Sequence, residues 1–225
     1  QTCAGLGSIA VSFNGGFAPY DIAWSGFASG SAMGITSPYT ITALAAGAYS
    51  ITVTDDNGTT ATSSATILNL PVTNTTDMPD TYYATIQAAV NAADPGEVIT
   101  VCAGTYDEQV NVNKSLTIQG ANAGIAGNGV RGTESIIDGN NAAHSGFVIT
   151  AANVTIDGFK VQNCGNTIYE SGIYTNSTGT MIKNNILFNN EKGVYASNTG
   201  ASTVQYNLFD GNNRPGAAGG ISLYS

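Results

Sequence analysis

Five carboxylates punctuate residues 138–210: Asp138, Asp157, Glu170, Glu191 and Asp210. Two carboxylates held close together suffice to cleave a glycosidic bond, one as acid and the other as base or nucleophile. Arg131 and His144 add a fixed cation and a titratable imidazole to the same region. Asp55 and Asp56, within "DDNG" (55–58), are side chains of the calcium-binding type, although paired carboxylates beside Asn-Gly are also ordinary turn chemistry. Tyr174 and Tyr195 each directly follow an aliphatic residue, and stacked exposed aromatics can hold sugar rings. Cys3, Cys102 and Cys164 contain no C-x-x-C pair for zinc or redox work. No nucleophile triad, phosphate-cradling loop or metal-ligand spacing is present.

Which of these groups meet depends on the elements that carry them. "GFVITAANVTIDGFKVQN" (146–163), "GIYTNSTGTMIKNNILFNN" (172–190) and "GVYASNTGASTVQYNLFDGN" (193–212) align, and a fourth copy begins at "GISLYS". Three positions stay apolar: Phe147, Ile173, Val194 and Ile221; Ile156, Ile182 and Val204; Val161, Leu187 and Phe209. The spacing is irregular, which suits coils of three short strands joined by turns of variable length. No coil can bury its few inward residues alone. Stacked about 4.8 Å apart, the coils would make one apolar column. Asn185 with Asn207, and Asn190 with Asn212, recur at coil corners where side-chain amides can bond from coil to coil.

This alignment sets the five carboxylates far apart in coil register. Asp157 aligns with Lys183 and Gln205, giving a mixed outward column and an ordinary surface ion pair. Tyr174 and Tyr195 point outward and stack on successive coils, and Ser222 ends their column. Ahead of the repeats, Ile86, Ala89, Val90 and Ala93 form one helical stripe in "YATIQAAVNAADPGE" (83–97). Thr85 starts that helix and Pro95-Gly96 stops it. Short strands follow in "VITVCAGTY", "VNVNKSLTIQGAN" and "SIIDG".

Residues 1–68 read as antiparallel strands. Tyr49, Ile51 and Val53 alternate with Ser50, Thr52 and Thr54, and "DDNG" suits a type I′ hairpin turn. Trp24 is the expected aromatic anchor of a small sandwich core. Residues 69–81, polar and with two prolines, read as a linker.

Charged residues make up only 9 % of the chain, against 28 glycines, which excludes a helical bundle or coiled coil. A hydrophobic content of 42 % argues against disorder. A net charge of −9 disfavours nucleic acid and anionic membranes as partners. No apolar run approaches the ~20 residues of a membrane span, and no signal peptide is present. Cys102 and Cys164 read as buried small hydrophobes, with a bridge between them as the alternative.

Two resemblances follow from these segments. Gly7-Ser8-Ile9, Gly15-Gly16, Ala18-Pro19-Tyr20, Trp24-Ser25, Leu44 to Tyr49 and Val53 to Gly58 resemble the SprB-type repeat of Bacteroidota gliding adhesins. That resemblance implies an immunoglobulin-like β-sandwich used as a spacer in secreted surface proteins, and hints at the type 9 secretion route. "YATIQAAVNAADPGEVITVCAGTYDEQVNVNKSLTIQGAN", with the repeats after it, resembles the N-terminal part of right-handed parallel β-helices of the pectin-lyase type. Lyases of that kind carry calcium-binding carboxylates beside a basic Arg or Lys. This chain shows no such cluster.

The expected fold is all-β: a small immunoglobulin-like sandwich (1–68), a linker (69–81) and a right-handed parallel β-helix with an N-terminal capping helix (82–225). The β-helix is expected to be incomplete at its C-terminal end, with further chain or another subunit covering the open rung. The expected function is a non-catalytic, secreted cell-surface adhesin or filament component, without cofactor or metal. Its partners would be surface glycans, contacted through Tyr174 and Tyr195. The alternatives are the N-terminal portion of a polysaccharide lyase or hydrolase, and a carbohydrate-binding module.

Overall fold

Alternation of β-branched and polar residues favours many short strands separated by turns. The structure is a computed structural model, described for residues 7–142, 144–166, 170–197, 200–213 and 219–224. The chain forms two compact units, residues 1–69 and 70–225.

In the first unit β1 (Gly7–Val11) pairs antiparallel with β4 (Tyr39–Leu44). A second antiparallel sheet has the order β3-β2-β5-β6, built from β2 (Tyr20–Gly26), β3 (Gly30–Ile35), β5 (Gly47–Thr54) and β6 (Thr60–Ile67). One core joins them, with Ile22, Ile41, Leu44, Tyr49 and Ile51 buried. Trp24 is only partly buried at its edge and lies against Gly30, where a Cβ would collide with the indole. The central aromatic is Tyr49, whose hydroxyl donates to Ala45 O at 3.0 Å. A phenol can place its hydroxyl at the rim of so small a core, whereas the larger indole does not fit fully inside. The hairpin turn also departs from type I′. Gly58 alone has positive φ, +79°, and Asp55 closes the turn by accepting from the amides of Asn57 (3.1 Å) and Thr59 (2.7 Å).

The second unit starts earlier than a linker at 69–81 would allow. β7 (Val72–Asn74) is buried and pairs antiparallel with β8 (Thr81–Tyr83) and β9 (Val98–Val101). Val72 enters the main core, and Asn74 donates to Glu97 at 2.6 Å, so this polar segment satisfies its own buried groups. Helix α1 (Ile86–Ala92) is shorter than its apolar stripe. Thr85 Oγ accepts from Ala88 N, and the Glu108 carboxylate accepts from the amides of Ile86 and Gln87, both at 2.9 Å. A carboxylate suits the unpaired donors at a helix N-terminus. At the other end Lys114 Nζ donates to Asn91 O and Ala93 O.

Coils follow in triplets of strands. The first has β9, β10 (Gly104–Tyr106) and β11 (Val110–Val112). The second has β12 (Thr117–Gln119), β13 (Ser135–Asp138) and β14 (Phe147–Ile149). The third has β15 (Thr155–Asp157), β16 (Phe159–Gln162) and β17 (Ile173–Thr175). The fourth has β18 (Met181–Lys183), β19 (Ile186–Phe188) and β20 (Val194–Ser197). The last has β21 (Thr203–Gln205), β22 (Leu208–Asp210) and β23 (Ile221–Tyr224).

Like strands of successive coils pair in parallel, so the unit has the β-helix-like build of three parallel sheets around one apolar core. Three inward columns run through it: Ile99, Ile118, Ile156, Ile182, Val204; Tyr106, Ile137, Val161, Leu187, Phe209; and Val110, Phe147, Ile173, Val194, Ile221. Phe147, Ile156, Val161, Ile173, Ile182, Leu187 and Val194 are buried, and Val204 and Phe209 are half-buried. Ile221 keeps the register yet is 45 % exposed, because β23 is the edge strand of its sheet.

Two asparagine ladders bind the corners. Asn185 Nδ2 donates to Ile156 O and to Asn207 Oδ1, both at 3.1 Å, and Asn207 Nδ2 donates to Ile182 O at 2.8 Å. Asn190 and Asn212 repeat the pattern onto Val161 O and Leu187 O. Cys102 is disulfide-bonded while Cys164 keeps a buried thiol, so the two do not bridge each other. Cys3 lies outside the described residues.

One long excursion, residues 120–134, leaves the second coil and runs over the later ones as far as the last. Gly158 passes so close beneath Ala123, and Gly127 so close to Asn185 O and Leu208 N, that neither position has room for a Cβ. Arg131 fastens the excursion. Its guanidinium makes a two-pronged pair with Glu134 (2.7 and 2.9 Å) and donates to Ile125 O (2.7 Å) and Asn184 O (2.6 Å). A guanidinium whose donors are spent on backbone and a carboxylate is a structural staple. In the Asp157–Lys183 pair (3.3 Å) the carboxylate therefore lies under a roof, while the lysine side chain stays 30 % exposed. Asp157 is 3 % exposed and also accepts from Gly124 N and Asn184 Nδ2.

Candidate functional site

Strands β11, β14, β17, β20 and β23 present an outward column of Asn111, Val148, Tyr174, Tyr195 and Ser222. The rings of Tyr174 and Tyr195 lie 5.6 Å apart, tilted by 49°. Tyr174 Oη is 3.1 Å from Ser197 Oγ, which fixes its ring. Lys192 Nζ lies 5.2 Å from the centre of the Tyr195 ring, within reach of a cation–π attraction. Together they form a rigid aromatic ledge with a cation at one end.

The turns between the second and third strands of each coil run beside this ledge. They bring together what the sequence alignment kept apart. Glu170 and Glu191 each stand three residues before a paired inward residue, Ile173 and Val194. A Cβ on Gly165 would lie 2.9 Å from the Glu170 Cβ and 2.8 Å from the Glu191 Cβ, so the two acidic side chains are neighbours. Counting back from the apolar positions would have found this match, because these turns hold their register through Gly172 N donating to Lys192 O at 2.8 Å.

Glu191 is 1 % exposed, and neither of its carboxylate oxygens has a hydrogen-bond partner among the described residues. The Ser171 hydroxyl is likewise buried and has no hydrogen-bond partner among the described residues. Burial lowers the pKa of Lys192 below the usual lysine value, opposed by the negative charges of Glu191 and Glu170. His144 occupies the same offset one coil earlier, with Nδ1 3.1 Å from Ser145 O. A buried carboxylate that accepts no hydrogen bond is costly even with a cation nearby, and such groups concentrate at functional sites.

The other acidic residues stay apart. Asp138 is held by Gln162 and Asn163, Asp157 is roofed by the excursion, and Asp210 lies on the last strand of its sheet. Asp55 serves its own turn and accepts from Phe17 N. Among the described residues no group of three His, Cys, Asp or Glu side chains could hold a metal ion, and no helix is long and apolar enough to cross a membrane.

A family model described as "Protein of unknown function (DUF1565)" matches residues 71–224, which is nearly the whole second unit. No curated protein sequence and no solved structure matches the chain.

Proposed function

The chain belongs to the DUF1565 family, associated with right-handed β-helix-like folds, and on that premise we propose that it is a non-catalytic, secreted cell-surface protein whose β-helix presents a glycan-contacting ledge. The observation that carries this reading is the Tyr174–Tyr195 stack, preorganised at 5.6 Å and flanked by Lys192 and Ser197. Aromatic faces fixed by the scaffold lose little entropy when a sugar ring settles on them.

The first unit serves in this reading as an immunoglobulin-like spacer of the SprB type. Its two antiparallel sheets over one core support that assignment, as does the bond from the Tyr49 hydroxyl back to Ala45 O, a link found at corners of such sandwiches. Helix α1 acts as the cap of the first coil, with Ile86, Ala89 and Val90 in the common core.

The Glu170–Glu191 neighbourhood favours a second reading, a glycoside-cleaving site along the same ledge. One pair of measurements separates the two. Affinity electrophoresis through gels containing neutral polysaccharides is expected to retard the chain, and Tyr174→Ala with Tyr195→Ala to restore free mobility. Release of reducing ends from the same polysaccharides is expected to stay at background. Reproducible release that Glu191→Gln abolishes transfers the site to the enzyme reading.

A further inference from the structure

Tyr206 occupies a backbone position that suits an aromatic residue poorly. It follows Gln205 at the corner between β21 and β22 with φ +56°, the left-handed region that bulky side chains avoid. The two preceding coils fill the matching corner with Gly158 (φ +83°) and Asn184 (φ +58°), both tolerant types. The excursion holds Tyr206 in place, with Gly127 N donating to Tyr206 O at 2.8 Å. The residue is nevertheless 67 % exposed, so packing does not account for its presence. Strain retained without a packing return is a mark of functional positions.

Tyr206 borders a groove between the excursion and the outer sheet face, shared with Gly124, Ala126, Lys183, Asn184 and Gln205. The polar groups there have unused capacity. Among the described residues the Gln205 side-chain amide and Asn184 Oδ1 have no hydrogen-bond partner, and the contact of Lys183 Nζ is the ion pair with Asp157. Asp157 balances the Lys183 charge, so the groove offers donors and acceptors around a neutral centre beside a flat aromatic face. A hexopyranose has the complementary surface, an apolar C–H face with a rim of hydroxyls that donate and accept. The chain's charge of −9 disfavours acidic sugars.

We infer that the groove formed by Lys183, Asn184, Gln205 and Tyr206 is a second carbohydrate site, binding a neutral hexopyranose unit by stacking on Tyr206. It lies on a different sheet from the Tyr174–Tyr195 ledge and stands independently of it.

The test is amide chemical-shift titration of the full chain with cellohexaose, mannohexaose and laminarihexaose. Saturable shifts are expected at Lys183, Gln205 and Tyr206 with at least one of them. Tyr206→Asn should weaken binding at these amides at least tenfold while raising Tm, because Asn accepts the left-handed corner. Tyr206→Phe should retain binding, and Tyr195→Ala should leave these shifts unchanged. The inference is overturned if no hexasaccharide gives saturable shifts at the groove, or if shifts there survive Tyr206→Asn. Shifts confined to residues 174 and 195 overturn it while leaving the ledge intact.

Discussion

Asn190 Nδ2 donates at 3.0 Å to the side-chain oxygen of Asn212 one coil further on, and also holds Val161 O at 2.9 Å. Its own side-chain oxygen accepts from Cys164 N at 3.0 Å. One buried amide therefore ties three coils together, alongside backbone bonds such as Glu191 N donating to Cys164 O at 2.9 Å.

Replacing that amide by an isosteric apolar group should be costly. Asn190→Leu leaves Cys164 N and Val161 O buried without partners, at about 1–3 kcal/mol each. A total loss of roughly 2–4 kcal/mol is expected in urea unfolding of the second unit. A change below about 0.5 kcal/mol would show the ladder to be incidental to stability.

Adjacent positions on β18 should respond differently. Ile182→Asp puts an unpaired charge into the apolar column between Ile156 and Val204, and should cost about 4 kcal/mol or more. Lys183→Asp removes the partner of the roofed Asp157 and sets a second carboxylate beside it. It should cost roughly 2 kcal/mol, where a surface pair would cost almost nothing. Thermal unfolding of the two variants side by side checks the order.

Arg131→Lys keeps the charge but loses the two-pronged pair with Glu134 and the simultaneous contacts to the carbonyls of Ile125, Asn184 and Phe159. The excursion should then lift. Limited proteolysis is expected to cut within 120–134 in the variant and spare this segment in the wild type. Identical cleavage patterns would mean that Gly127 and its neighbours hold the excursion without the guanidinium.

Acid sensitivity should trace to two aspartates. For Asp138, burial acts against the charged form, but hydrogen bonds from Gln162, Asn140 and Asn163 and the nearby Lys160 charge outweigh it and lower the pKa. For Asp55, burial likewise opposes the charge and is outweighed by hydrogen bonds from Thr59, Phe17 and Asn57. A folded pKa below the unfolded one gives stability that is complete above the ordinary Asp value, near ~3.9, and is lost as pH falls through the folded value. Asp138→Asn should flatten the acid limb for the second unit and Asp55→Asn for the first. Urea midpoints measured from about pH 5 down to pH 2 report this, and limbs as steep as in the wild type would assign the acid loss to other groups.

The apolar columns could be read directly from the sequence because a β-helix repeats one local rule. Ile156, Ile182 and Val204 recur wherever a strand faces inward, and backbone pairing then leaves their register little freedom. The corner asparagines were legible for the same reason. Thr85 and the stripe from Ile86 to Val90 fixed α1, because capping and periodicity are local properties. Tyr174 over Tyr195 also followed from strand register alone.

Non-local contacts decided the rest. Residues 72–74, set in a polar stretch, gave no sign of burial until β9 was there to pair with them. Trp24 gave way to Tyr49 because the volume of a small core, and not aromatic character, selects which ring fits inside. Asp157 turned from a surface partner into a buried one because the 120–134 excursion closed over it, and nothing near Asp157 in the sequence encodes that roof. Glu170 and Glu191 met because turns of unequal length can end in the same register. Turn length is visible in a sequence, but the path of a turn through space is set by close approaches such as those at Gly165. A repeating sequence thus determined the coils themselves, while tertiary folding decided which groups at their corners became neighbours.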